Sequence, residues 1–168
     1  MKILIIGPVA SGKTTVAKKI SEHTGIKHYE IDSIVHNDKN NIKRTENEQI
    51  NIINQINKND DWIIEGTLRK NLYILLDLAD KVIYIDIPLR IRRRRIILRY
   101  LKQKLGIEKC NYIPNKEMLK NMFRWTNDYE KEKNKFERNL RKYKDKVEVF
   151  NESSENIFKK FIKTLDNI

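Results

Sequence analysis

One segment limits what this chain can become: Gly7-Pro8-Val9-Ala10-Ser11-Gly12-Lys13-Thr14, which has the form G-x-x-x-x-G-K-[ST]. It follows a short apolar run, Lys2–Ile6, that reads as a buried strand. It precedes a stretch, Lys13–Glu22, with Val16, Ala17 and Ile20 at helical spacing. Each fixed residue type has a physical reason. Gly7 and Gly12 permit backbone angles that a side chain would block, so successive N–H groups can turn onto a phosphate. The helix that follows aims its positive N-terminus at the same anion. Lys13 can reach the β- and γ-phosphates, and the Thr14 hydroxyl is suited to Mg²⁺. With only 5 glycines in the chain, a chance match is on the order of one in a thousand. The expected contact set is Gly7, Pro8, Val9, Ala10, Ser11, Gly12, Lys13, Thr14 and Thr15, holding ATP with Mg²⁺.

The rest of the chain alternates strand and helix patterns. His28–Asp32 reads as a second strand. Thr45 and Glu48 form a T-x-x-E capping box that opens a helix with Ile50, Ile53 and Ile56 on one face. Trp62–Glu65, closed by Gly66, is a third strand, and Lys81–Ile87 a fourth. Pro88 starts a helix rich in arginine that stops near Gly106. Lys116–Tyr143 is helical again, with Met122, Tyr129, Phe136 and Tyr143 seven residues apart and Asp128 placed to cap a break. Lys146–Phe150 is a fifth strand and Ile157–Leu165 a closing helix. This alternation implies a parallel sheet covered on both faces.

A chain of 168 residues forms one domain. No apolar run is long enough to span a membrane and nothing resembles a signal peptide, so a cytoplasmic protein without membrane partners is expected. The single cysteine, Cys110, excludes an internal disulfide and reads as an ordinary thiol. The net charge of +12 suits either a nucleic-acid partner or a substrate with several phosphates. Aromatic-interleaved basic motifs are absent, which does not favour nucleic acid.

Taken in order, these motifs resemble the nucleotide-kinase branch of the phosphate-loop proteins, which includes adenylate kinase. They look most like the small bacterial proteins described as DNA topology modulation proteins. The likeness covers nearly the whole chain. It rests on the loop, on Asp32, on Trp62-Ile63-Ile64-Glu65-Gly66, on Ile85-Asp86-Ile87-Pro88 followed by Arg95 and Arg99, and on the Trp125 region. It implies a three-layer α/β/α fold with a five-stranded parallel sheet in the order 2-3-1-4-5. It also implies an acceptor-side insertion at about 33–60 and a helical lid at about 105–135. The implied activity is transfer of the γ-phosphoryl group of ATP to a small-molecule acceptor, a nucleotide or nucleoside among the candidates, by a monomer or homodimer. The alternative is an ATP-dependent nucleic-acid-binding protein that modulates DNA topology with little kinase activity; a nucleotide-binding remnant with little turnover is a second rival.

Lys13, Asp32, Arg95 and Arg99 are the candidate catalytic residues, with Arg95 and Arg99 also on the nucleotide. Thr14, Asp32 and Glu65 are candidates for the metal, and Asp32, Glu65, Gly66 and Arg69 for the acceptor. Glu65 stands where the family has Asp, and Thr67-Leu68 ahead of Arg69 departs from the Phe-Pro of adenylate kinases. Val35 replaces the arginine that grips a monophosphate there, with His36 beside it. On a helical wheel Ile91, Leu98, Leu101 and Leu105 form one apolar stripe, with Arg92, Arg95 and Arg99 along its flank at the edge of the core. Arg90, Arg93 and Arg94 read as a solvated basic face, and Asp86 as structural.

Overall fold

In the computed structural model, which describes residues 1–37, 42–108 and 114–165, five strands form one parallel sheet in the order β2-β3-β1-β4-β5. They are β1 (Lys2–Ile6), β2 (His28–Glu30), β3 (Trp62–Gly66), β4 (Lys81–Ile85) and β5 (Val147–Phe150). Both faces are covered. Strands of this kind carry continuous apolar runs because neither side sees water. Ile3, Ile5, Ile63 and Ile83 pack with Val16 and Ile20 of α1 (Lys13–Thr24) and with Ile157 and Phe161 of α7 (Ser154–Leu165). On the other face lie Leu4, Ile6, Ile64 and Tyr84. They pack with residues of α2 (Ile31–Val35), α3 (Glu46–Asn57), α4 (Ile74–Leu78) and α6 (Lys116–Leu140). The result is the three-layer α/β/α phosphate-loop fold. No helix among the described residues is long and apolar enough to cross a membrane.

The Thr45 capping box forms as expected. The Thr45 side chain accepts from the Glu48 backbone, and the Thr45 N–H donates to the Glu48 carboxylate at 2.7 Å. Other expectations need correction. The second strand ends at Glu30, and Asp32 lies in the short helix α2. A contact distant in sequence accompanies the turn: the Ile31 side chain tucks over Gly66, where any Cβ would sit 2.5 Å from its own. The fourth strand stops at Ile85. Asp128 caps no break, because Lys116–Leu140 contains neither Gly nor Pro and α6 runs through it. Asp128 instead pairs with Lys131 at 2.9 Å on the surface.

The largest difference is the orientation of α5 (Leu89–Lys104). Its buried residues are Arg92, Ile96 and Gln103, while Ile91, Leu98, Leu101 and Leu105 are exposed. Polar contacts orient this helix. Arg92 donates through Nε to the Ile87 carbonyl at 2.8 Å, pairs with Glu130 on α6, and sits 5.7 Å from the Tyr129 ring. Cys110 lies outside the described residues, as do 109–113 of the anticipated lid and 38–41 of the acceptor-side insertion.

Candidate active site

The loop between β1 and α1 sits at the C-terminal edge of the sheet, where parallel α/β folds bind ligands. Gly7 packs so close to β4 that a Cβ there would collide with the Ile85 carbonyl oxygen. Gly12 has φ 102°, and a Cβ would lie 2.5 Å from the Ser154 hydroxyl at the start of α7. Neighbouring elements hold the loop carbonyls. Thr67 donates to the Gly7 carbonyl at 3.2 Å, and Ser154 to that of Gly12 at 3.4 Å. Arg95 Nη1 donates to the carbonyls of Ala10 and Ser11 at 3.3 and 3.0 Å. Arg95 therefore reaches the loop, as the sequence implies, but grips its backbone oxygens.

Lys13 Nζ donates to the Pro8 carbonyl at 2.8 Å, so the amine is folded over its own loop. Withdrawal from water lowers its pKa below 10.5; Glu65 and Asp32 oppose that shift by charge, and Arg92 and Arg99 add to it. Both candidate acids and two arginines thus act electrostatically on this one amine. The Thr14 hydroxyl donates to Glu65 at 2.6 Å. Glu65 is only 4% exposed. Burial alone would raise its pKa, but His28, Lys13 and the Thr14 hydrogen bond together hold it below 4.5.

Asp32 faces the opposite side of the opening. Its carboxylate is 78% exposed and 3.4 Å from Arg69. A cleft of about 250 Å³ opens next to Arg69, between the segment after β3 and α6, with Leu68, Tyr73, Tyr129, Lys135 and Phe136 among its walls. Arg99 acts on Lys13 by charge and pairs with Glu108 at 3.1 Å. Gly66 serves packing against Ile31. Val35 is buried in the core, and the His36 N–H bonds back to the Asp32 carbonyl at 2.8 Å. Asp86 pairs with Lys133 of α6 at 2.7 Å.

The donor set fits a nucleotide with Mg²⁺. The Ser11 hydroxyl, inside the loop, is buried without a hydrogen-bond partner, and buried polar groups left unpaired in this way mark places where a ligand completes the bonding. Thr14 presents an oxygen whose proton is already engaged by Glu65, which leaves lone pairs for a hard cation. Sequence reading put Arg92 on the flank with Arg95 and Arg99 rather than inside the core, and missed Thr67 and Ser154. Arg92 was visible only as a neighbour of Arg95 at i−3, and no pattern marks the other two.

Residues 3–114 match the AAA_18 model, described as AAA domain. A cytidylate kinase from Desulfurococcus amylolyticus is 30% identical over 111 residues, covering 57% of this chain and 59% of that protein. The chain thus spans little more than half the length of that relative. Among solved structures, deoxyadenosine kinase from M. mycoides with bound dATP aligns with a TM-score of 0.58 and 14% identity, over 99% of this chain and 100% of that one. Shikimate kinase from Acinetobacter baumannii in complex with shikimate aligns at 0.61 and 13%, over 98% and 92%. At such low identity these structures speak for the fold. The family match covers the sheet's central strands, the loop and the arginine helix, and by it the chain belongs to the AAA domain family of AAA_18.

Proposed function

We propose that the protein is a kinase that transfers the γ-phosphoryl group of ATP to a small-molecule acceptor of the nucleoside or nucleotide class. The observation that carries this reading is the convergence on Lys13: Thr14 and Glu65 are joined beneath it, and Asp32 with Arg69 lies across the opening. The kinases among the similar proteins support the same reading. Gly7 to Thr15 would cradle the phosphates, with Lys13 exchanging the Pro8 carbonyl for phosphate oxygens. Thr14, set by Glu65, together with Asp32 would hold Mg²⁺, which supplies charge neutralisation for the transferred group. Arg95 would fix the loop, and Arg99 would join the phosphates on leaving Glu108. Asp32 and Arg69 would orient the acceptor at the mouth of the cleft. Catalysis in this design is positioning and electrostatic stabilisation. The C-terminal half of α6 is tied down by Glu130, paired with Arg92, and by Lys133, paired with Asp86.

Screening nucleosides, nucleotides and small hydroxylated metabolites for ATP-dependent phosphorylation tests the reading. Absence of any acceptor, with ATP still bound, would overturn it. One observation favours the second reading, an ATP-dependent nucleic-acid-binding protein: Arg90, Arg93 and Arg94 are exposed on a helix without a single acid. That reading demands an affinity for duplex DNA that falls steeply with salt.

A further inference from the structure

β2 and β3 pair in register, His28 beside Ile63 and Glu30 beside Glu65. Residues two apart on a strand share a face, so His28, Glu30 and Glu65 project to one side of the sheet, beneath Thr14. Among the described residues, theirs are the histidine and carboxylate ligand atoms that gather, all within 4.8 Å of one another. Three features ask for a cation. Two carboxylates directly opposite on neighbouring strands repel, and one of them is nearly removed from water. His28 Nε2 is buried with no hydrogen-bond partner. It stands 4.0 Å from a Glu65 oxygen, too far for a hydrogen bond. Two ligands at about 2.0–2.2 Å around one tetrahedral ion stand roughly 3.3–3.6 Å apart, so an ion would draw the imidazole and the carboxylate together by about half an ångström.

We propose that His28, Glu30 and Glu65 form a binding site for one divalent transition-metal ion. The imidazole selects against Mg²⁺, which takes oxygen ligands, and in favour of Zn²⁺, Co²⁺ or Ni²⁺ with water completing the shell. The ion replaces repulsion between the carboxylates with a shared bond. Because Glu65 also accepts from Thr14, the ion fixes the carboxylate that orients the hydroxyl of the phosphate site. All three ligand atoms belong to β2 and β3, so the site adjoins the phosphate loop through Glu65 yet draws no ligand from a nucleotide. A protonated His28 acting as resident counter-ion is the competing description.

Co²⁺ is the probe, added to nucleotide-free protein and followed by its visible ligand-field bands. One equivalent is expected to bind, and both His28→Ala and Glu30→Gln should weaken it by more than the about 10–100-fold typical of lost supporting groups. Lys13→Ala, which cripples the phosphate site, should still bind one equivalent of Co²⁺, no more weakly than the parent, because it removes a positive charge that acts on Glu65. Parent protein that binds ATP but takes up no Co²⁺ overturns the metal site and leaves the kinase reading standing. Uptake that is unchanged in His28→Ala and Glu30→Gln also overturns it. Should a variant fail to fold, the parent protein answers alone through imidazole NMR of its 3 histidines. Co²⁺ should perturb one imidazole first and Mg²⁺ at equal concentration none; equal effects of the two ions, or of Co²⁺ on all three rings, refute the assignment.

Discussion

Arg92 offers the sharpest test of how the arginine helix is held. Its side chain is fully buried, and its counter-ion, Glu130, is 33% exposed. Glu130→Gln keeps the shape and removes the charge. Breaking a buried pair from one side costs about 3–5 kcal/mol. Water reaches Glu130, so the expected loss lies lower, at about 2–3 kcal/mol. Arg92→Met removes the guanidinium as well, and the Ile87 carbonyl loses a charged donor worth about 1.5–3 kcal/mol. Glu130 then relaxes into solvent. The double variant should therefore be more stable than the sum of the singles by about 1–2 kcal/mol. Urea unfolding at constant m measures each term. In a chain this size the Glu130→Gln loss corresponds to roughly 5–10 °C in Tm. Single effects that add to within about 0.3–0.5 kcal/mol would refute the coupling. A Glu130→Gln cost below about 0.5 kcal/mol would refute burial of the pair as the anchor of α5.

Lys13→Ala should remove most γ-phosphate-dependent affinity and leave the fold intact, as read by ATP titration and a thermal melt. Changing Arg95 and Arg99 together to Gln should cut transfer sharply while the slope of log DNA affinity against log salt barely moves; a slope reduced by roughly two would instead support the nucleic-acid reading. Glu65 is held below its ordinary pKa of 4.5, so its contribution is present above that value and is lost as pH falls through the folded pKa. Glu65→Gln should flatten that acid limb of the stability profile, measured by unfolding from neutral pH down to values below 4.5. Thr45→Ala removes the capping box of α3 and should cost about 1 kcal/mol in denaturant unfolding.

The strands were legible because burial on both faces forces continuous apolar runs, and Gly66 and Pro88 mark chain reversals in the sequence. The capping box was legible for the same reason that it works, since both partners lie within one turn. The orientation of α5 was not. Periodicity assumes that the apolar face turns inward, yet here a guanidinium turns inward because Glu130 and Tyr129, nearly forty residues on, are waiting for it. The site was legible where chemistry is local, in Gly7 to Thr14. The Thr14–Glu65 bond, the Arg95 contacts and the His28–Glu30–Glu65 cluster depend on strand register and helix rotation, which spacing alone does not convey. Asp32 was read as a strand end because nothing local announces that Ile31 must fold over Gly66.

The central strand precedes all its neighbours in the sequence, and that has a consequence for how the sheet assembles during synthesis. β1 can pair only when Trp62–Gly66 and Lys81–Ile85 exist. The loop that follows it leans on Ser154, 142 residues downstream of Gly12. At translation speeds of about 5–20 residues per second, the apolar run Ile3–Ile6 waits several seconds for its neighbours. Contacts this distant in sequence also slow folding once the chain is released. A nascent or truncated product that stops short of α7 carries the complete G-x-x-x-x-G-K-T sequence on a loop that still lacks its Ser154 contact, so the motif is present in the chain well before its geometry is.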